Sequence, residues 1–429
     1  MYPVQESEVR RAIDTVWRIE AGRIVAAVAG IIRDVGQAEE LAQDALVAAL
    51  EQWPRDGVPA NPGAWLTTVG KRRAVDLVRR QQTGERVVDA LGRDLDEQFT
   101  VDFDAVVEDR IEDDLLRLIF VACHPVLSPI ARAALTLRLV GGLNTGEIAR
   151  AFLATESTIG QRITRAKQAL ASARVPFEVP GAAERGERLG SVLEVVYLIF
   201  NEGYAATAGD DWMRPALCQE ALRLARQLQS LMPDEPEVHG LAALLEIQAS
   251  RLRARTGPDG EPVLLNDQDR TLWDRLLIRR GLAALDRART DHPGPYVLQA
   301  EIAACHARAH VPEETDWERI AALYAELARL VPSPVVELNR AVALAQAYGP
   351  AAGLEVARAL SDEPALAQYH LLPSVLGDLL AKLGRHDEAR LEFERAASLT
   401  GNARERELLL GRAAACADPR PAGHVTAAT

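Results

Sequence analysis

Residues Leu143 to Leu170 read LNTGEIARAFLATESTIGQRITRAKQAL, and their apolar positions recur with a helical period. Ile159, Ile163, Ala166 and Leu170 follow at spacings of four, three and four, which places them on one stripe of a helix. Ile148, Ala149 and Phe152 form the inward face of a shorter helix before it, with Ala149 small where the two must cross closely. Asn144 followed by Glu147 has the form of a capping box, and Thr155 is placed to cap the second helix. Glu156 then lies near that helix's positive end. Leu153, Ala154 and Thr155 make the turn, with Leu153 where such turns often carry glycine. The outer face of the second helix presents Ser157, Thr158, Gln161, Arg162, Arg165 and Gln168, with Lys167 beside them. These side chains donate to phosphates or base edges, as a recognition helix in the major groove requires. The pattern predicts a helix-turn-helix over Asn144 to Ala171, with Pro129 to Val140 as the third helix of the bundle. Taken alone, it also suits a helical hairpin with a solvated basic face.

Net charge bears on that choice. The chain has 429 residues and a formal charge of −13, an acidic balance that globally disfavours nucleic acid. The cations are not spread evenly. Lys71, Arg72, Arg73, Arg79, Arg80 and Arg86 crowd one segment, and Arg150, Arg162, Arg165, Lys167 and Arg174 crowd a second. Local basic islands are what phosphate contacts use. Abundant Ala, Leu and Arg with few aromatics favour helices over sheets.

The length admits two to four domains, at roughly 100–200 residues each. The sequence divides into a helical stretch 1–88, an acidic linker 89–109, a helical stretch 110–175, a Pro-bearing linker 176–188, a helix-rich stretch 189–416 and a tail 417–429. Within the last large stretch, Ser374 to Leu399 carries Leu376, Gly377 and Leu380 on one helix, then Ala389, Phe393 and Ala396 on the next. Small residues at these offsets let paired helices approach, the tetratricopeptide pattern. Weaker copies of its second helix are Ala221, Ala225, Leu228 before Pro233, and Ala321, Ala325, Ala328 before Pro332. The expected fold is all-α: two small helical modules, the second a helix-turn-helix, followed by a tetratricopeptide-like repeat. A generic bundle with Ala-rich seams is the alternative for the repeat.

Upstream, GQAEELAQDALVAALEQW (Gly36 to Trp53) reads as an amphipathic helix, apolar at Leu41, Ala45, Leu46 and Ala49 and acidic at Glu39, Glu40, Asp44 and Glu51. NPGAWLTTVGKRRAVDLVRRQ (Asn61 to Gln81) turns Trp65, Leu66, Val69, Val75 and Leu77 inward and its cations outward. An aromatic among cations suits melted DNA, whose bases stack and whose phosphates need neutralising; a core tryptophan under a solvated surface explains it equally well. The order of the two modules decides. An AEELAQDAL helix, a WLTTVGKRRAVDLVRR helix, an acidic linker and TGEIARAF…STIGQRITRAKQAL together resemble the extracytoplasmic-function group of bacterial sigma factors, over roughly Ile13 to Ala173. LEVVYLIFNEGYAAT and LLNDQDRTLWD (Leu264 to Asp274) resemble the subgroup with a large helical C-terminal extension.

The resemblance implies a factor that binds core RNA polymerase and gives it promoter specificity. It assigns polymerase binding to Glu39, Glu40 and Asp44. Recognition and melting of the minus-ten element fall to Trp65, Lys71, Arg72, Arg73, Arg79 and Arg80. Reading of the minus-thirty-five element falls to Ser157, Thr158, Gln161, Arg162, Arg165 and Lys167. The family often has Asn where Arg72 stands, which bears on base choice in the melted element. The acidic linker would run toward the RNA exit path. The expected partners are core polymerase, promoter DNA and, for the C-terminal repeat, an intramolecular or protein partner that modulates activity.

A DNA-binding regulator with a protein-interaction tail is the second reading, and the melting helix is what it leaves without use. An enzyme is not expected. Cys123-His124 reads as a buried thiol and a capping imidazole, Cys305-His306 with His310 does not complete a ligand set, and Gly257 to Pro262 lacks a phosphate loop's Gly-Lys-Ser/Thr. No catalytic residue, metal or cofactor is expected. No apolar run is long enough to cross a bilayer, the N-terminus lacks a signal-peptide core, and four scattered cysteines suit a reducing, cytoplasmic location.

Overall fold

A computed structural model describes residues 3–89, 107–152, 154–205, 208–209, 213–258 and 261–417. The chain forms two compact units, 1–198 and 199–429. The first contains α1 (Pro3–Ile32), α2 (Val35–Asp56), α3 (Pro62–Asp89), α4 (Val107–Ala122), α5 (Pro129–Leu139), α6 (Thr145–Ala151), α7 (Glu156–Ser172) and most of α8 (Ala182–Tyr204). The segment read as an acidic linker lies largely outside the described residues, and α8 begins inside the second stretch read as a linker.

In the first unit α1 is the central element, packing on α2, α3 and α4. Its inner residues Ile13, Ile24, Val25 and Val28 are buried. The α2 interface is an alanine seam of Ala38, Ala42, Ala45, Ala48 and Ala49, closed by Trp53. Asp34 caps this helix, accepting from the Gln37 backbone N–H at 2.8 Å. α5, α6 and α7 form the three-helix bundle expected for the helix-turn-helix, and α4 joins it through α5. Gly142, at φ 69°, holds the turn before α6 where a Cβ would lie 2.9 Å from the Ala21 methyl. Only glycine meets both conditions there.

The second unit continues with α9 (Pro215–Leu231), α10 (Pro236–Ser250), α11 (Arg275–Arg287), α12 (Pro295–Arg308), α13 (Trp317–Leu330), α14 (Pro334–Tyr348), α15 (Pro350–Ala359), α16 (Leu371–Lys382), α17 (His386–Leu399) and α18 (Ala403–Ala417). From α12 onward each helix packs on its chain neighbours, the contact pattern of a helical repeat. Proline opens α9, α10, α12, α14 and α15, where its missing N–H costs nothing and its fixed φ suits the first turn. In the α16–α17 pair, a Cβ on Gly377 would lie 2.8 Å from the Phe393 ring, so the close crossing needs glycine. Leu376, Leu380, Ala389, Phe393 and Ala396 of the expected pattern share one buried cluster. Two-residue strands Ala208–Gly209 and Gly401–Asn402 pair in parallel. All four cysteines are free and buried.

Candidate nucleic-acid interface

The local chemistry of the helix-turn-helix follows its sequence closely. The Asn144 backbone N–H donates to Glu147 Oε2 at 2.8 Å, and the Glu147 backbone N–H donates to Asn144 Oδ1 at 2.8 Å, a reciprocal capping box. Thr155 Oγ1 accepts from the Thr158 backbone N–H at 3.1 Å and caps α7. Ile159, Ile163, Ala166 and Leu170 are all buried. That stripe fixes the rotation of α7 and turns Ser157, Thr158, Gln161 and Arg165 to solvent, with Arg162 half-buried beside them. Thr164, which the sequence pattern did not single out, is also exposed on this face. Leu153, at the turn, lies outside the described residues.

Lys167 stands apart from that group. Its ammonium forms an ion pair with Glu39 of α2. Arg138 of α5 donates to the other carboxylate oxygen. Glu39 is only 4 % exposed. Glu40 and Asp44, grouped with it by sequence, are exposed on the outer face of α2. Val47 and Leu50 extend that face at 50 % and 43 % exposure. Sequence reading missed both, because an apolar residue on an amphipathic helix is assigned to the core by default.

The basic segment lies on α3, capped by Asn61, whose Oδ1 accepts from the Ala64 backbone N–H at 3.1 Å. Leu66 and Ala74 are buried against the bundle, which leaves Arg72, Arg79 and Arg80 exposed on the far side. Trp65 is half-buried and meets the Trp53 ring edge-on, with centroids 5.4 Å apart. Arg73 reaches Asp44 at 3.1 Å, which joins the basic helix to the acidic face of α2. Lys71 is partly sunk; burial holds its ammonium below the usual lysine range, against the attraction of Asp114. Asp114 is in turn pushed up by burial, while its hydrogen bond and ion pair with Arg117 pull it down.

The two modules meet again at α1, and α8 is bonded to the second of them. Arg18 of α1 pairs with Glu147, so the capping carboxylate also ties α6 to α1. On the other side of the bundle, Arg132 bonds Ser191 and reaches Glu194 at 3.1 Å. Ser191 Oγ donates to the Cys123 carbonyl at 2.6 Å, and Arg188 donates to the Phe120 carbonyl at 3.0 Å. The first part of α8 is thereby bonded to α4, α5 and the residue that follows α4.

Burial raises the Cys123 thiol to about 11, which keeps it neutral. His124 caps the adjacent turn, its Nδ1 accepting from the Val126 backbone N–H at 3.1 Å. Among the described residues no group of His, Cys, Asp and Glu is placed to hold a metal. No helix among them is long and apolar enough to cross a membrane.

Comparison with known proteins agrees with this layout. Residues 18–83 match Sigma-70 region 2, residues 117–170 match Sigma-70, region 4, and residues 188–289 match a family of unknown function, DUF6596. An uncharacterized protein of Rhizobium meliloti, R00370, is 48% identical over 375 residues, 87% of this chain and 88% of that protein. The ECF RNA polymerase sigma factor SigK of Mycobacterium ulcerans is 32% identical over 154 residues, 34% of this chain and 78% of that protein. SigK of Mycobacterium tuberculosis is 32% identical over 153 residues, with the same shares covered. No solved structure matches. With region 2 on α1 to α3, region 4 on α4 to α7 and a helical C-terminal domain beyond them, the chain belongs to the extracytoplasmic-function family of RNA polymerase sigma factors.

Proposed function

We propose a division of labour among the surfaces of this sigma factor. The exposed row Glu40, Asp44, Val47 and Leu50 on α2 docks core RNA polymerase, with Val47 and Leu50 as the apolar centre and the carboxylates as its rim. Arg72, Arg79, Arg80 and Lys71 of α3, with Arg73 and Trp65, receive the melted minus-ten strand. Ser157, Thr158, Gln161, Arg162 and Arg165 of α7 read the minus-thirty-five duplex. Lys167 joins them once it is released from Glu39.

The observation that carries this reading is the rotation of α7. The stripe Ile159, Ile163, Ala166 and Leu170 is buried, so a polar and basic face is left for the groove. In the described arrangement Glu39 and Lys167 occupy each other. A form in which region 4 moves away from α2 to span a promoter must part them. The DUF6596 match begins in α8, and Arg188 and Ser191 of that helix hold α4 and the residue after it. This supports a modulatory role for the C-terminal domain.

Core docking is tested with full-length protein and purified core polymerase. Val47→Asp and Leu50→Asp should each weaken holoenzyme assembly at least tenfold and lower run-off transcription from the factor's own upstream DNA in proportion. Unchanged assembly in the double variant would remove α2 from the polymerase interface.

A further inference from the structure

Between α10 and α11 the chain runs through three short 3-10 turns, Leu252–Arg255, Leu265–Asp267 and Arg270–Leu272. Backbone bonds pin this irregular stretch. The Val263 N–H donates to the Arg255 carbonyl at 2.9 Å, and the Asp274 N–H donates to the Ser250 carbonyl at 2.9 Å. The turns gather three arginines around two aromatic rings. The Arg255 guanidinium lies 3.4 Å over the Tyr204 ring, and that of Arg270 lies 5.0 Å from the Trp273 centroid. The Arg251 guanidinium lies between the rings, 5.8 Å from Tyr204 and 5.6 Å from Trp273. Arg255 and Arg270 are each 6 % exposed and Trp273 is 3 % exposed.

Three cations are thus held together in a poorly solvated place. Burial holds Arg255 and Arg270 below the usual arginine range, and the charge of Arg251 adds to the effect on both, while Tyr204 opposes it at Arg255 and the more distant Glu313 and Glu314 oppose it at Arg270. The hydrogen-bond partners of Arg270 are neutral: it donates to the carbonyls of His306 and Ala309 at 3.0 and 2.7 Å and to Thr315 Oγ1 at 3.1 Å. Arg251 donates to the Tyr204 hydroxyl at 2.7 Å and to Gln248. Among the described residues no carboxylate comes within ion-pair distance of Arg251 or Arg270. Elsewhere in this unit the pattern differs: Arg214 pairs with Glu202, and Arg226 pairs with Glu246. Four buried nitrogens of the cluster, Arg251 Nε, Arg270 Nε, Trp273 Nε1 and His306 Nδ1, have no hydrogen-bond partner among the described residues.

Buried guanidiniums are normally satisfied by carboxylate or phosphate, whose oxygens match their paired N–H groups. We propose that this cluster in the C-terminal unit binds a small oxyanion, a phosphate or carboxylate group, with Arg251 and Arg270 as its principal ligands and Trp273 as a further donor. The ligand is small because Arg270 and Trp273 are buried and Arg251 is half-buried, which leaves little of the cluster open to a macromolecular surface. The inference is independent of the sigma-factor assignment.

The test uses full-length protein and two probes, sodium phosphate and sodium succinate, with sodium chloride at matched ionic strength as reference. At least one probe should raise the Tm saturably over the chloride reference and give a binding isotherm in calorimetry. Response to phosphate alone assigns a phosphate group, and response to succinate alone assigns a carboxylate. Arg251→Met and Arg270→Met should each abolish the shift. Arg251→Lys, which keeps the charge and loses the planar fork, should weaken binding at least tenfold and serves as the conservative variant if Arg270→Met fails to fold. Arg289→Met, at an 81 % exposed side chain, should bind as the unaltered protein does. No shift beyond chloride with either probe, or a shift that persists in Arg251→Met and in Arg251→Lys, would overturn the proposal.

Discussion

Arg138 Nε donates to Glu39 Oε1 across 2.6 Å, joining residues 99 positions apart in the chain. Lys167 adds a second cation to the same carboxylate. Glu39 is buried, so neither cation is readily replaced by water. Removing one member of a buried ion pair costs roughly 3–5 kcal/mol, because the remaining charge stays in the interior. Glu39→Ala leaves two cations facing each other and should destabilise the first unit by about that amount, read as a lower urea midpoint. Lys167→Ala should cost less, since the lysine side chain is 22% exposed and its loss leaves Glu39 still paired with Arg138. A Glu39→Ala midpoint equal to that of the unaltered protein would show that the carboxylate is not held between the modules.

The two DNA-facing helices should fail in different ways. Arg165→Ala removes a cation from the face of α7, so holoenzyme should bind the promoter more weakly, with the slope of log affinity against log salt reduced by about 0.9. Arg72→Ala with Arg80→Ala on α3 should mainly impair strand opening. A promoter carrying a pre-melted bubble around its minus-ten element should therefore rescue the α3 variant and not the α7 variant. Equal rescue of both would merge the two roles.

The capping box offers a local test. Asn144→Ala deprives the Glu147 backbone N–H of its acceptor, and loss of such a cap costs about 0.5–2 kcal/mol. Glu147→Ala should cost more than Asn144→Ala, because Glu147 also pairs with Arg18. Thermal melts of the two variants decide the order, and a smaller loss for Glu147→Ala would mean that the Arg18 contact contributes nothing.

These examples also mark what the sequence can carry. The capping box, the Thr155 cap and the buried stripe of α7 depend on residues within eleven positions of one another, and each is found in the structure as read. The Ser374 to Leu399 pair is less local, yet it joins neighbouring helices, and its Gly377 is explained by the Phe393 ring of the next helix. Glu39 could not be placed this way. Its periodic position on α2 borders the acidic face, and only the docking of α5 and α7 from the second module turns it into a buried group. Val47 and Leu50 show the reverse case: apolar residues left outside because the alanine seam already fills the contact with α1. The arginine cluster was illegible for a third reason, since Arg251, Arg255 and Arg270 are brought together by 3-10 turns that have no hydrophobic period.

Within that cluster His306 gives a pH-dependent prediction. Burial, with Arg251 and Arg270 nearby, lowers its imidazole to about 3, so it is neutral in the folded protein at every ordinary pH. In the unfolded chain it takes up a proton near pH 6.5. The folded pKa is depressed, so the contribution to stability is complete above pH 6.5 and is lost as the pH falls toward 3. The slope from this one group reaches about 1.4 kcal/mol per pH unit. Its ring meets Trp317 edge-on at 5.0 Å, and Phe preserves that contact without the titration. Unfolding free energies between pH 7 and pH 5 should therefore fall less steeply in His306→Phe than in the unaltered protein, by up to one proton's worth of slope. Parallel curves for the two proteins would show that His306 can be protonated without unfolding.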